Sequence, residues 1–306
     1  MNKCTKLLLR KPETIRHFRC LSTRAKQSPA EYCLDLVRKH DYESFLCTLL
    51  LPQNLRSAAF AVRAFNVEVA LVEDQVSDNT IGRMRYKFWE DALDKVYGDT
   101  PPRSPVPLEL HRILKTQTLS KRYFKRLINA RLEKLGVSMF PDLEALEKYS
   151  ENSSSSIYYL LLEANGTKDV HADHTASHLG KAHGIVNLIR SVAHHARKRN
   201  CVLPQDILIK HDVPMESIFR GETSKGLCDV IFDVSSRAKL HLDKARSLKD
   251  SSKKETVTIF LPGTIVNIYL DKLQRADFNI FSPLLHTKNN LLPLQLYWKK
   301  FTKKPY

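Results

Sequence analysis

NLIRSVAHHARKRNCVLP, Asn187 to Pro204, preceded directly by LGKAHGIV, Leu179 to Val186, is the stretch whose reading decides the fold of this chain. Its apolar residues recur at helical spacing and small residues punctuate them. A basic run and a proline follow, so the pattern predicts a buried helix that stops near Asn200. Where one face of such a helix could carry acids, this one carries Ser191, His194 and His195.

Outward from that helix, 306 residues of which 42% are hydrophobic suffice for one sizeable core. With nine Gly, dense Leu, Ala, Lys, Arg and Glu, and few alternating Val/Ile/Thr runs, the chain reads as all-α. No apolar run, LCTLLLP included, approaches the roughly 20 residues of a membrane-spanning helix. Six cysteines, Cys4, Cys20, Cys33, Cys47, Cys201 and Cys228, are scattered without CxxC pairs, which favours reduced thiols in a packed fold over a disulfide framework or a zinc ribbon.

The net charge of +16 invites a nucleic-acid reading, but its distribution argues against one. Residues 1 to 30 hold eight basic residues against Glu13 alone, which is +7 of the total. That segment, poor in acids and containing Ser and Thr, reads as a mitochondrial transit peptide with cleavage near Leu21-Ser22. Residues 1–27 are therefore expected to be a disordered targeting segment, and 28–306 a single helical domain.

Ser28 is placed to cap a first helix with Pro29 in its first turn. Gln53 to Val76 is an uninterrupted helical pattern, and Ile81 to Gly98 is another, stopped by the TPPRSPVP linker. Leu108 to Gly136 predicts one or two helices. Ser153 to Ser156 lie between Tyr149 and the Ile157–Leu162 run at helical length, which makes them a small-residue face inside a long helix. Pro204 and Pro214 mark short elements, and the remainder is again helical.

The opening stretch resembles the second signature of the squalene/phytoene synthase family, NILRDVGEDARRGRVYLP, from end to end without a gap, and LGKAHGIV matches that family's LGxALQLT. LPQNLRSAAFAVRAFNVEVALVED, Leu51 to Asp74, is similar to the first signature, LPxxxRxAxxALYAFCRxxDDxxD. The resemblance implies the isoprenoid-synthase helical fold with a central cavity over nearly all of the chain after residue 28. HADH, ASH, GKA and GIV between His171 and Val186, RAFNVE at 63–68 and NNLLPLQLY at 289–297 are similar to one branch in particular, of respiratory complex I assembly factors. That implies a mitochondrial protein on the matrix side of the inner membrane, peripheral to it, with complex I subunits or assembly intermediates as partners.

In the family, aspartates on two facing helices hold magnesium against a departing diphosphate, because a hard cation needs anionic oxygens. Matched residue by residue, the first signature's aspartate pair falls on Ala70 and Leu71 with Asp74 left alone, and its arginine on Val67. In the second, Asn187 and Arg190 are kept, the ligating aspartate is Ser191, and the Glu-Asp pair is His194-His195. Glu68 and Glu73 fall off the required face. Removing a single electrostatic donor costs on the order of 100-fold in rate, so losing several together implies no catalysis, no metal and no cofactor. The competing reading is an active prenyltransferase or lipid-diphosphate enzyme with a rearranged metal site, or a hydrolase using histidine.

His171, His174 and His178 stand at i, i+3 and i+7, but no carboxylate or thiol completes a zinc set at ligand spacing, so they read as a solvated helix surface. Asp74 reads the same way, and the basic run Arg197 to Asn200 as solvated charge or a phosphate contact. Tyr297, Trp298 and Phe301, interleaved with lysines, suit either an anionic membrane surface or a frayed tail. The cavity is expected to accept a lipid or another apolar ligand.

Overall fold

The computed structural model describes residues 27–248 and 256–302. Expectations for the segment 1–26 lie outside the described residues.

The chain opens with α1 (Pro29–His40), started by a capping box in which Glu31 N donates to Ser28 Oγ and Ser28 N donates to Glu31 Oε2. Asp41 ends it and, through a hydrogen bond accepted from Ser44 N, begins α2 (Tyr42–Leu49). Then follow α3 (Gln53–Gln75), α4 (Asn79–Tyr97), α5 (Pro105–Leu114) and α6 (Lys121–Lys134). The stretch that predicted one or two helices makes two, α5 and α6, and Gly136 at φ 80° closes the second.

The serine run sits inside one long helical rod, as its flanks predicted, but not as plain α-helix. α7 (Leu143–Ser150) passes through a π-helical turn, Glu151–Ser155, into α8 (Ser156–Ala164). Against this rod α9 (Val170–Arg197) sets glycines at the points of closest approach. A Cβ on Gly180 would lie 2.4 Å from Ser155 Cα, and one on Gly184 would lie 2.8 Å from Ser150 Cα. Small residues on both rods therefore let the two backbones touch.

Short helices α10 (Gln205–Lys210) and α11 (Met215–Phe219) lead to α12 (Lys225–Ser247), which packs along α9. The chain ends with α13 (Pro262–Arg275), α14 (Pro283–His286) and α15 (Leu292–Thr302). Among the described residues there is no strand; Phe140 and Pro204 form an isolated bridge. One apolar cluster centres on α9 and α12. A second surrounds α3, where Phe65 packs edge-on against Trp89 and Phe124 at centroid distances of 5.5 and 5.1 Å.

Cys33, Cys47 and Cys201 are buried free thiols, and burial pushes Cys33 and Cys47 up to about 12, far from a reactive thiolate.

Candidate functional site

The two signature helices face each other across a cavity of about 660 Å³. α3 contributes Arg63, Val67, Ala70, Leu71 and Asp74, whose spacings over three turns keep them on one broad face. α9 contributes His183, Asn187, Arg190, Ser191 and His195. Ser153 and Ser154 of the π turn and Tyr42 of α2 close the sides.

All the singled-out residues of both signatures line this space except His194. Adjacent residues on a helix diverge by about 100°, so His195 turns inward and His194 outward. His194 is not merely solvated: its Nε2 lies 3.1 Å from Asp74 Oδ1, and Lys198 Nζ lies 2.5 Å from the same oxygen. Asp74 is thus a surface acid that is also ion-paired. Burial would push its carboxyl up, but hydrogen bonds and charge from Lys198 and His194 outweigh that and hold it below the usual range. Arg199 is likewise engaged, pairing with Glu216 at 2.7 Å.

Glu73 also departs from expectation, since it lies on the cavity rim with Asn200 Nδ2 3.5 Å from its Oε1. Glu68 does turn away, accepting a hydrogen bond from Tyr32 at 2.8 Å.

Arg63, Glu43 and Arg131 line the cavity and escaped the sequence reading. Arg63 is 3% exposed and lies one turn before Val67 on the same face, with Asp41 Oδ2 4.0 Å away. That spacing was the available signal. Glu43 pairs with Arg190 at 2.6 Å, and Arg131 donates to Asn66 Oδ1 at 2.6 Å. His183 Nδ1 lies 2.8 Å from the Tyr158 hydroxyl. Burial, then the Arg63 and Arg190 charges, push His183 down to about 4, although Asp41 opposes the shift. His195 is lowered to about 4 by burial and by His194 beside it. Both inward imidazoles are therefore neutral near pH 7.

Each acid around the cavity is already committed: Asp41 to Ser44 N and Arg63, Glu43 to Arg190, Glu73 to Asn200, Asp74 to Lys198 and His194. Among the described residues no group of three or more His, Cys, Asp or Glu is placed to hold a metal ion. His171 and His174 are exposed, while His178 turns toward α12, its Nδ1 2.9 Å from His241 Nδ1.

This architecture is found in solved structures. A dehydrosqualene synthase superposes with a TM-score of 0.79 at 15% identity, covering 91% of this chain and 97% of that one. The squalene synthase of Alicyclobacillus acidocaldarius gives 0.73 at 19%, covering 82% and 95%. The squalene/phytoene synthase family pattern matches residues 37–297. Among curated proteins, NADH dehydrogenase (ubiquinone) complex I assembly factor 6 of Bos taurus is 46% identical over 272 residues, 88% of this chain and 82% of that protein. The Drosophila melanogaster homolog is 43% identical over 277 residues, while phytoene synthase 1 of Zea mays is 20% identical over 299. The chain belongs to the squalene/phytoene synthase family, in a branch with the complex I assembly factor 6 proteins.

Proposed function

We propose that this chain is a non-catalytic member of its family that acts in mitochondria in the assembly of respiratory complex I. The observation that carries the reading is the charge closure at the cavity mouth, where Asp74 of α3 holds Lys198 and His194 of α9. In the family's chemistry a magnesium–diphosphate cluster bridges these helices. The groups here do not fit one. A methyl at Ala70, an isobutyl group at Leu71, a Ser191 hydroxyl donating to Leu188 O at 2.8 Å and a neutral His195 offer a hard cation almost no anionic oxygen. The cavity remains as shape without ionising machinery.

The names of the 46%-identical relatives supply the assembly role and, with it, complex I subunits or intermediates as partners. In this reading residues 1–27 are an import sequence, 28–306 act on the matrix side of the inner membrane in peripheral contact with it, and the cavity holds an apolar subunit segment or a lipid. No cofactor and no nucleic acid take part.

Affinity purification of the tagged full chain from mitochondria tests the role. Recovery of complex I subunits in partly assembled intermediates is expected; recovery of none of them, with isoprenoid enzymes instead, would overturn it.

A further inference from the structure

A second cavity, of about 780 Å³, lies where α13, the segment through α14 and the start of α15 meet α2. It shares with the first only the wall made by Tyr42, Glu43 and Arg190. Its floor is apolar, built from Ile265, Ile268, Ile280, Leu285 and Leu292, and its rim carries Lys272, His286 and Lys288. Glu43, the carboxylate among the described lining residues, is taken by Arg190 at 2.6 Å. Lys272 Nζ donates to the Thr287 carbonyl at 2.7 Å, an uncharged acceptor, and makes no ion pair among the described residues. Lys288 has no ion-pair partner among the described residues.

Cations set over an apolar trough recognise an amphiphile with an anionic head. A free phosphate would meet the rim but gain nothing from the floor, and a neutral lipid would fill the floor but leave the rim unanswered. The surface beside the mouth supplies a source. α15 lines the cavity with Leu292 and Pro293 and exposes Leu294, Tyr297, Trp298 and Phe301, the last two 63% and 73% exposed. Leucine and aromatic side chains on one helix, flanked by lysines, suit the headgroup layer of a bilayer.

We propose that this second cavity binds one anionic phospholipid drawn from a membrane, its phosphate between Lys272, His286 and Lys288 and an acyl chain against Ile265, Ile268 and Leu285. The site is separate from the family cavity and does not depend on the assembly role.

The test incubates the full chain with vesicles of phosphatidylcholine, alone or doped with phosphatidylglycerol, and counts retained lipid by native mass spectrometry. One phosphatidylglycerol per chain is expected. Lys272→Glu with Lys288→Glu should weaken retention on the order of tenfold or more, at about 1 kcal/mol per basic residue near an anionic surface. Arg83→Glu with Arg103→Glu makes the same charge change at exposed residues on α4 and before α5, neither of which lines this cavity, and should leave the retained lipid in place. Ile268→Trp keeps the rim charges and fills the floor, so it should abolish the retained lipid while attraction to phosphatidylglycerol vesicles persists. Far-UV circular dichroism checks that each variant folds. Absence of a retained lipid, equal loss in the remote pair, or displacement of the lipid by inorganic phosphate would each overturn the proposal. A chain that fails here and still recovers complex I subunits separates this site from the assembly reading.

Discussion

Lys198 Nζ lies 2.5 Å from Asp74 Oδ1, which pins the end of α9 to the end of α3 at the mouth of the family cavity. His194 reaches the same oxygen at 3.1 Å. The two helices that face each other across the cavity are thus joined by protein charge.

Asp74→Asn removes that link. Both partners are nearly half exposed, so the cost should stay below about 1 kcal/mol and shrink as salt is added. Urea unfolding of the two proteins at low and high ionic strength measures it. Magnesium chloride should shift the midpoint no more than a sodium chloride solution of equal ionic strength does; a specific magnesium stabilisation lost in Asp74→Asn would identify Asp74 as a ligand instead.

Gly184→Ala should destabilise by about 1–3 kcal/mol, since its Cβ would press on Ser150 Cα at 2.8 Å and a backbone atom cannot rotate aside. Gly180→Ala, with Ser155 Cα at 2.4 Å, should cost at least as much. Denaturation midpoints decide the matter; a neutral Gly180→Ala would mean that the π turn does not pack on α9 as closely as described.

Asp41→Ala should cost more than Ser28→Ala. Each loses a helix cap, about 1 kcal/mol, but Asp41 also leaves Arg63 buried with no facing carboxylate, and Arg63 Nε already lacks a hydrogen-bond partner among the described residues. Equal costs in urea titrations would show that the 4.0 Å approach contributes nothing.

Acid should weaken the fold through three histidines whose protonation burial opposes. His178, His183 and His195 are held down to about 4 by burial, with neighbouring positive charges adding to the shift: His241, Lys181 and Lys244 around His178, opposed by Glu151, and His194, Lys134 and Lys198 around His195, opposed by Asp74. The unfolded chain takes up these protons near pH 6.5 and the folded one near 4. Stability is therefore fully present above about 6.5 and lost as pH falls toward 4. His178→Gln should flatten that slope in a stability-against-pH series; an unchanged slope would mean that His178 does not face His241 across α9 and α12.

Much of this was legible in the residues. Helical spacing located α3 and α9, and Ser28 and Pro29 marked the start of α1 and Gly98 the end of α4 through local capping chemistry that needs no tertiary context. The signature positions converge on one cavity because a fixed helical period carries a face over several turns. What escaped was non-local. The pairing of Asp74 could not be read because its partners lie 120 and 124 residues later, and Arg63 looked like ordinary helix until the start of α2 delivered Asp41 to it. The π turn was hidden for a related reason: the close approach of Gly180 to Ser155, which packs the turn against α9, comes from another helix.

The most direct test of the central claim is release of diphosphate from farnesyl or geranylgeranyl diphosphate by the purified full chain in the presence of magnesium. The account predicts release no faster than a blank without protein. Magnesium-dependent release that Asn187→Ala abolishes would contradict it, because the cavity would then retain the chemistry that Ala70, Leu71 and Ser191 are argued to have removed.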